Sequence, residues 1–232
     1  MRSRAVIAII SAIIAIAATL AVVFLLGIGS GEATAQEPDR PTRPRRNAED
    51  ALQFKLEHEV YNTVLDAYGN PRHHYMYIPE NNRVVYLSFD ELVEFIESGT
   101  GVFFFSRATC PWCRVALPTF LQVAEDMGMF VHYYDIDYDR DAHNDNYMWI
   151  LEVLHDYLPV DDRNQTPGTP EFDTDMKRVT VPHFFFVKDG QVVNEKMMNR
   201  HPLIVDEDFD GLYDFFMEMF ESVLPEPCEV VC

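Results

Sequence analysis

The stretch from Val102 to Cys113 constrains the fold most, because an apolar aromatic run leads directly into two cysteines separated by two residues. Three consecutive phenylalanines, Phe103 to Phe105, are typical of a strand that is buried on both faces, as a central parallel strand is. Cys110 then lies where a helix N-cap is expected. Pro111 occupies the first helical position, where its missing N–H costs nothing. The pattern therefore predicts a strand, a turn and a helix.

The two cysteines differ in their expected chemistry. A thiol at a helix N-terminus faces unpaired backbone N–H groups and the positive end of the helix dipole, so the pKa of Cys110 should fall well below its free value of about 8.5. Cys113 lies nearly one helical turn further on, within reach of the Cys110 sulfur and further from solvent. We predict that Cys110 attacks, that Cys113 resolves the mixed disulfide, and that the pair cycles between dithiol and disulfide.

The composition limits the classes of partner. The chain has 232 residues, 48% of them apolar, which is enough for one good-sized domain with appendages. Its net charge of −20 is uneven, because six arginines and three acidic residues lie before Asn47. The remainder has 12 Lys and Arg against 35 Asp and Glu, a formal charge of −23. Since the folded part offers no basic stripe, we expect no nucleic-acid partner.

The N-terminal residues 1–29 predict a transmembrane anchor or an uncleaved signal. Ala5 to Ile28 is uncharged and almost wholly apolar, roughly long enough to span a bilayer core that needs about 20 residues. A signal-peptide core has about 7 to 15 residues, so we favour an anchor, although Ala33-Thr34-Ala35 fits a cleavage site. Arg2 and Arg4 precede the span, which predicts a single-pass protein of the cell membrane with a cytoplasmic N-terminus and an extracellular domain.

Residues 30–46 predict a linker, because they are Gly, Pro, Arg and polar residues without periodicity. Residues 47–232 then form the folded domain, including a helical extension at its start and a tail with two cysteines. On this topology all four cysteines lie outside the cell, where disulfides form and persist.

Hydrophobic periodicity and turn residues predict the elements before the central strand. These are a helix over 47–68, short strands at 73–77 and 83–87, and a helix that begins with the capping box Ser88-Phe-Asp-Glu91 and ends at Gly99.

The same signals predict the elements after the cysteines. These are a helix to Gly128 containing Pro118, a strand at 130–136 in a parallel crossover, a short helix over 147–158, an irregular loop at 159–178 that overhangs a nearby site, a hairpin turning at Asp189-Gly190, and a closing helix over 209–223.

Three ordered motifs resemble those of the thioredoxin superfamily: Cys110-Pro-Trp-Cys113 at a strand-to-helix junction, a strand at 130–136, and V-P-H-F-F-F-V-K-D-G from Val181 to Gly190. More narrowly, S-R-A-T-C-P-W-C-R, followed by L-P, Y-Y-D-I-D and that hairpin, is similar to the bacteriocin-transport-accessory type of extracytoplasmic thioredoxin-like protein of Gram-positive bacteria. The resemblance covers about residues 85–225.

The resemblance implies a thioredoxin-like α/β fold, with a central mixed sheet flanked by helices and an inserted helix plus loop at about 140–179. It assigns attack to Cys110 and resolution to Cys113. It also identifies Pro182 as the cis-proline whose preceding backbone at Val181 pairs with a substrate strand. Trp112, between the cysteines, is a further expected substrate contact.

Two positions depart from the pattern of the superfamily. Phe104 stands where many relatives carry a buried carboxylate that assists proton transfer at the resolving thiol. Thr109 stands where thioredoxin has a tryptophan before the first cysteine.

These features predict an extracytoplasmic, membrane-anchored thiol-disulfide oxidoreductase that acts on the thiols and disulfides of proteins and uses no cofactor and no metal. A membrane redox partner or a transporter is a further expected partner. The alternative is a redox-silent module that holds a peptide or a transporter in the groove beside Pro182. Oxidation, reduction and isomerisation are all compatible with the Pro-Trp dipeptide, and we favour reduction or general exchange.

Metal binding is a weaker interpretation of the same residues. A zinc site on the cysteine pair needs two further ligands from His73, His74, Cys228 or Cys232, and adjacent histidines on a strand point to opposite faces. The acidic run from Asp135 lacks the glycine at its sixth position and the glutamate at its twelfth that a calcium loop requires.

Cys228 and Cys232 are expected to form a peripheral disulfide. No apolar helix follows them, so neither thiol gains the helix N-terminus that activates Cys110. A relay that passes redox equivalents from this tail to Cys110 is the alternative.

Overall fold

The structure is a computed structural model, and it describes residues 47–163, 165, 167–169 and 171–224. The predicted anchor at 1–29, the linker at 30–46 and the cysteines of the tail lie outside these residues. Within the described part of the chain, no helix is long and apolar enough to cross a membrane.

Helices and strands follow one another along the described chain. They are α1 (Asn47–Glu59), a 3-10 helix (Val60–Thr63), β1 (Val84–Tyr86), α2 (Phe89–Ser98), β2 (Gly101–Ser106), α3 (Pro111–Asp126), β3 (Val131–Asp135), α4 (Asp137–Ala142), α5 (Asp145–Val153), a second 3-10 helix (His155–Tyr157), β4 (His183–Lys188), β5 (Gln191–Met197), α6 (Pro202–Val205) and α7 (Phe209–Glu221).

The five strands form one mixed sheet in the order β1-β3-β2-β4-β5. β3 pairs in parallel with both β1 and β2, whereas β4 runs antiparallel to β2 and to β5. The sequence correctly predicts the parallel crossover from β2 through α3 to β3. All six residues of β2 are buried, as expected for a central strand that is covered on both faces of the sheet.

Aromatic rings from β2 build the core on both faces of the sheet, because successive strand residues point to opposite faces. On one face, Phe104 contacts Phe120 of α3 with ring centroids 5.3 Å apart. On the other face, Phe103 stacks on Phe185 of β4 at 4.7 Å and contacts Phe95 of α2 at 5.8 Å. The result is a mixed α/β fold whose central sheet is flanked by helices.

Two local predictions about caps and turns are confirmed. Ser88 and Glu91 form the capping box of α2, each side chain bonding the backbone N–H of the other residue. Asp189 and Gly190 turn the β4–β5 hairpin with φ angles of 51° and 73°, the signature of a primed two-residue turn. A side chain at Gly190 would also place a Cβ 2.1 Å from the Glu97 carbonyl oxygen, so the turn requires glycine.

The helix predicted over 47–68 is wrong beyond Glu59. The chain continues as the short 3-10 helix and then turns around Asp66, whose carboxylate accepts hydrogen bonds from the N–H groups of Tyr68 and Asn70 at 2.8 and 2.9 Å. Leu65 and Tyr68 of the presumed apolar face are exposed. The Asp66 side chain therefore supplies hydrogen bonds that form a local Asx turn, and the helix does not continue through this segment.

The strand predicted at 73–77 is also wrong, because side chains rather than a neighbouring strand satisfy the backbone there. Asn62 bonds both the N–H and the carbonyl of Met76, at 2.9 and 2.7 Å. The Glu59 carboxylate accepts from the N–H of Ile78 at 2.7 Å. This segment is consequently irregular but held to the end of α1.

Buried His58 predicts a pH-dependent stability. Burial lowers the pKa of His58 from 6.5 to about 4, and the Arg114 charge adds to the effect while the Phe54 carbonyl opposes it. Between pH 6.5 and about 4, His58 is protonated in the unfolded chain but stays neutral in the folded protein. The free energy of unfolding should therefore fall by up to about 3 kcal/mol as pH drops through this window.

Urea unfolding of His58→Phe at a series of pH values checks this origin of the acid sensitivity. The variant should lose the part of the slope between pH 6.5 and 4 that His58 supplies, whereas buried His183, whose pKa burial also lowers, should keep its own part. His155→Gln, which removes an exposed histidine, is the control and should keep the slope. An unchanged slope in His58→Phe would contradict the assignment.

Candidate active site

Cys110 occupies the N-cap of α3, as the sequence predicts, and Pro111 is the first helical residue. The Cys110 sulfur accepts the N–H of Cys113 at 3.3 Å and lies 3.5 Å from the carbonyl oxygen of Val181, to which the thiol donates. Cys110 is 9% exposed and lines a surface cavity. Both cysteines are free thiols in the structure.

The surroundings of Cys110 favour its thiolate. The pKa of Cys110 is lowered from 9.0 to about 7, chiefly by the hydrogen bond with the Cys113 side chain and further by the N–H groups of Cys113 and Trp112 and the charge of Arg107. Partial burial opposes these contributions. At neutral pH a large fraction of this thiol is therefore ionised, as a nucleophile requires.

Cys113 behaves in the opposite way. It is fully buried in the first turn of α3. Burial raises the pKa of Cys113 well above its ordinary value, and the neighbouring Cys110 raises it further. The two thiols therefore ionise in a fixed order, Cys110 first, and Cys113 keeps its proton until Cys110 has reacted.

Ser106 is a site residue that the sequence analysis missed. It follows Phe104 by two positions on β2, so the two side chains lie on the same face of the sheet, the face that α3 covers. The Ser106 hydroxyl is buried without a hydrogen-bond partner among the described residues, and its proximity lowers the pKa of Cys113. The sequence did contain a signal for this role. Side chains alternate between the two faces along β2, so residue 106 lies on the same face as residue 104 and closer to the cysteines.

Removing the Ser106 hydroxyl should make Cys113 harder to ionise. In a Cys110→Ser background, Ser106→Ala should slow modification of Cys113 by a small thiosulfonate by about tenfold, because the hydroxyl has no other partner in the described part of the chain and can donate to the Cys113 thiolate as it forms. The pH–rate profile should move to higher pH. Ser106→Thr keeps the hydroxyl and should restore the rate, whereas equal profiles with and without the Ser106→Ala substitution would exclude the role.

The other predicted site residues lie beside Cys110. The Val181–Pro182 peptide bond is cis, and Pro182 precedes β4. Val181 and Trp112 line a cavity of about 490 Å³ together with Cys110. The structure thus brings Cys110, Trp112 and Val181 to one cavity, with Cys113 behind the first cysteine and Pro182 next to Val181.

The irregular loop predicted at 159–178 contributes to the same cavity. Its ends are tied by hydrogen bonds from Asp161 N–H to the Met176 carbonyl at 2.7 Å and from Arg178 N–H to the Pro159 carbonyl at 3.2 Å. Arg163 and Arg178 of this loop line the cavity. Two residues of the loop thus lie at the cavity beside Cys110, and these arginines were not anticipated.

Metal-binding geometry is absent from the part of the chain that the structure describes, where no three His, Cys, Asp or Glu side chains group closely enough to hold an ion. His73 instead packs its ring against Tyr61, with centroids 5.5 Å apart. His74 uses its carbonyl to accept a hydrogen bond from Arg114. The remaining candidate zinc ligands, Cys228 and Cys232, lie outside the described residues.

No protein-family model matches this chain, and no curated protein matches it either. The five-stranded mixed α/β architecture is compatible with a thioredoxin-like fold. A fold alone does not define an activity, so any function has to follow from the chemistry of the two cysteines and their surroundings.

Proposed function

We propose that this protein is a thiol-disulfide oxidoreductase with a thioredoxin-like fold, acting on disulfides or thiols of proteins outside the cytoplasm. The observation that carries the proposal is the asymmetry of one cysteine pair. Cys110 has a lowered pKa at a helix N-terminus, and Cys113 is buried directly behind it with a raised pKa. Such a pair supplies an ionised attacking thiol and a protonated resolving thiol.

The reaction follows from these two states. The Cys110 thiolate attacks one sulfur of a substrate disulfide, forming a mixed disulfide, while the second substrate sulfur leaves as a thiolate with the bonding electrons. Cys113 then loses its proton and attacks the Cys110 sulfur, which releases the remaining substrate thiolate. The substrate gains two electrons, and the protein is left with a Cys110–Cys113 disulfide. The oxidised protein runs the same steps in reverse on a dithiol.

The backbone at Val181 supports a protein substrate. Its carbonyl accepts only the weak thiol donor of Cys110, at 3.5 Å, and its N–H makes no hydrogen bond within the described residues. An extended substrate segment can therefore pair with both groups while its disulfide lies against Cys110. Trp112, half-buried at the cavity, offers an apolar surface beside the attacked bond.

The pKa of Cys110 favours reduction or general exchange over strong oxidation. A strongly oxidising pair has a thiolate so stabilised that its pKa is about 3.5, whereas thioredoxin, a reductant, has a value of about 7. The value for Cys110 is also about 7. The membrane location expected from residues 1–29 would place this activity at the cell surface, near a membrane redox partner or a transporter.

Single serine variants test the assigned roles. Cys110→Ser should abolish insulin-disulfide reduction, because the attacking thiolate is gone. Cys113→Ser should accumulate mixed disulfides with substrate, visible on non-reducing gels, because the second step has no nucleophile. Mixed disulfides that form on Cys110→Ser instead would reverse the roles.

The redox-silent alternative gives a different result. A binding module should show no exchange in the wild-type protein and should hold its peptide or transporter partner equally well when both cysteines are serine. Exchange by the wild-type protein that is lost in the double variant would support the oxidoreductase.

A further inference from the structure

Four arginines converge on the cavity beside Cys110. The chain from residue 47 onward contains eight arginines, and half of them line this one cavity: Arg107, Arg140, Arg163 and Arg178. They come from the β2–α3 connection, from α4 and from the loop at 159–178. The concentration contrasts with a domain in which acidic residues outnumber basic ones by 35 to 12.

Two of these arginines are firmly held by carboxylates. Arg163 donates to Asp161 from its Nε atom at 2.7 Å and from a terminal nitrogen as well. Arg140 donates to Asp137 at 2.7 Å and lies 3.5 Å from Asp141. These pairs fix the guanidinium groups in position at the rim of the cavity.

The other two arginines retain unused donors. Arg107 lies 3.2 Å from Asp137 without hydrogen-bond geometry, and Arg178 lies 3.5 Å from Asp162 and 3.9 Å from Asp161. Within the described residues neither side chain donates a hydrogen bond, although a guanidinium carries five N–H donors. The Nε atoms of both are buried, but the side chains as a whole are 39% and 25% exposed, so an incoming group can reach them through atoms other than Nε.

The charges around the cavity oppose the approach of an anion less than the charges on the rest of the domain do. The four arginines are paired with four aspartates, so these eight charges cancel, whereas residues 47–232 as a whole carry −23. An anionic substrate is therefore repelled less here than over the rest of the surface. Guanidinium groups also match the planar geometry of a carboxylate, which they bind through two parallel hydrogen bonds.

We propose that this cavity recognises carboxylates next to the disulfide that Cys110 attacks, so that the enzyme prefers anionic disulfides. Arg178 and Arg107 bind the carboxylate, and Arg163 and Arg140 shape the rim. The inference rests on the proposed thiol-disulfide exchange and adds its substrate class. Acidic peptide segments and small carboxylated disulfides both present this chemistry.

Three small disulfides of similar size test the preference: dithiodipropionate, which is anionic, hydroxyethyl disulfide, which is neutral, and cystamine, which is cationic. For each disulfide, we divide the rate of its reaction with the reduced protein by the rate of its reaction with free mercaptoethanol. This quotient corrects for the intrinsic reactivity of the disulfide. The corrected anionic-to-neutral ratio should exceed one and should fall as salt screens the charges. The cationic disulfide should be slowest after correction.

Arg178→Gln should lower the anionic-to-neutral ratio about three- to fivefold, the loss expected for one partly exposed ion pair. Arg83→Gln is the matched control, because Arg83 has the same charge but lies over the ring of Phe130, away from the cavity, and donates to the Gly128 carbonyl. Its ratio should match that of the wild-type protein. Arg107 is left intact because its charge also lowers the pKa of Cys110.

The outcomes separate the two proposals. A corrected ratio below one, or equal ratios in Arg178→Gln and Arg83→Gln, would overturn the carboxylate preference while exchange itself stands. Failure of the wild-type protein to react with any of the three would overturn both.

A pair of peptide disulfides flanked by Glu or by Gln then identifies the source: faster attack on the Glu peptide indicates protein substrates, and equal attack indicates small carboxylated disulfides.

Discussion

The site depends on one junction, the point where the buried strand β2 ends and α3 begins. The strand is fixed by neighbours on both sides and by rings on both faces, so its exit has little freedom. The helix then starts at Cys110, whose sulfur takes the place of a capping oxygen and accepts the N–H of Cys113. The same turn buries the second thiol. One local arrangement thus lowers the pKa of Cys110 and raises the pKa of Cys113.

Arg114, the residue after the second cysteine, ties the N-terminal segment to this junction. It is almost fully buried, and burial lowers its pKa. The guanidinium donates to the carbonyls of His58 and Ala108, both at 2.9 Å, to the carbonyl of His74 and to the Asn62 side chain. Backbone carbonyl dipoles therefore compensate the buried charge of Arg114. A lysine could not make the same set of hydrogen bonds, because its compact ammonium lacks the planar fork of donors. The contact joins α1 and the irregular segment after it to the loop that carries the active-site cysteine.

Sequence patterns predicted the parts of the fold that local chemistry decides. Pro111 after Cys110 marked the helix start, and Asp189-Gly190 marked the hairpin, because each depends on backbone preferences of neighbouring residues. At Asp66 a local Asx turn ended the predicted helix, whereas the segment at 73–78 was predicted wrongly because its hydrogen bonds go to side chains distant in sequence, such as Asn62. The arginine cluster was missed for the same reason: its members lie up to 71 positions apart and meet only when the loop at 159–178 folds over the site.

Titration of the two thiols tests the asymmetry on which the account depends. The ultraviolet absorbance of thiolate, followed against pH in the reduced protein and in the two single serine variants, assigns each ionisation to its cysteine. One thiolate should form with a pKa of about 7 and disappear in Cys110→Ser, while Cys113 ionises only at much higher pH. A first thiolate that persists in Cys110→Ser, or a Cys110 that ionises no earlier than a free cysteine at about 8.5, would contradict the account.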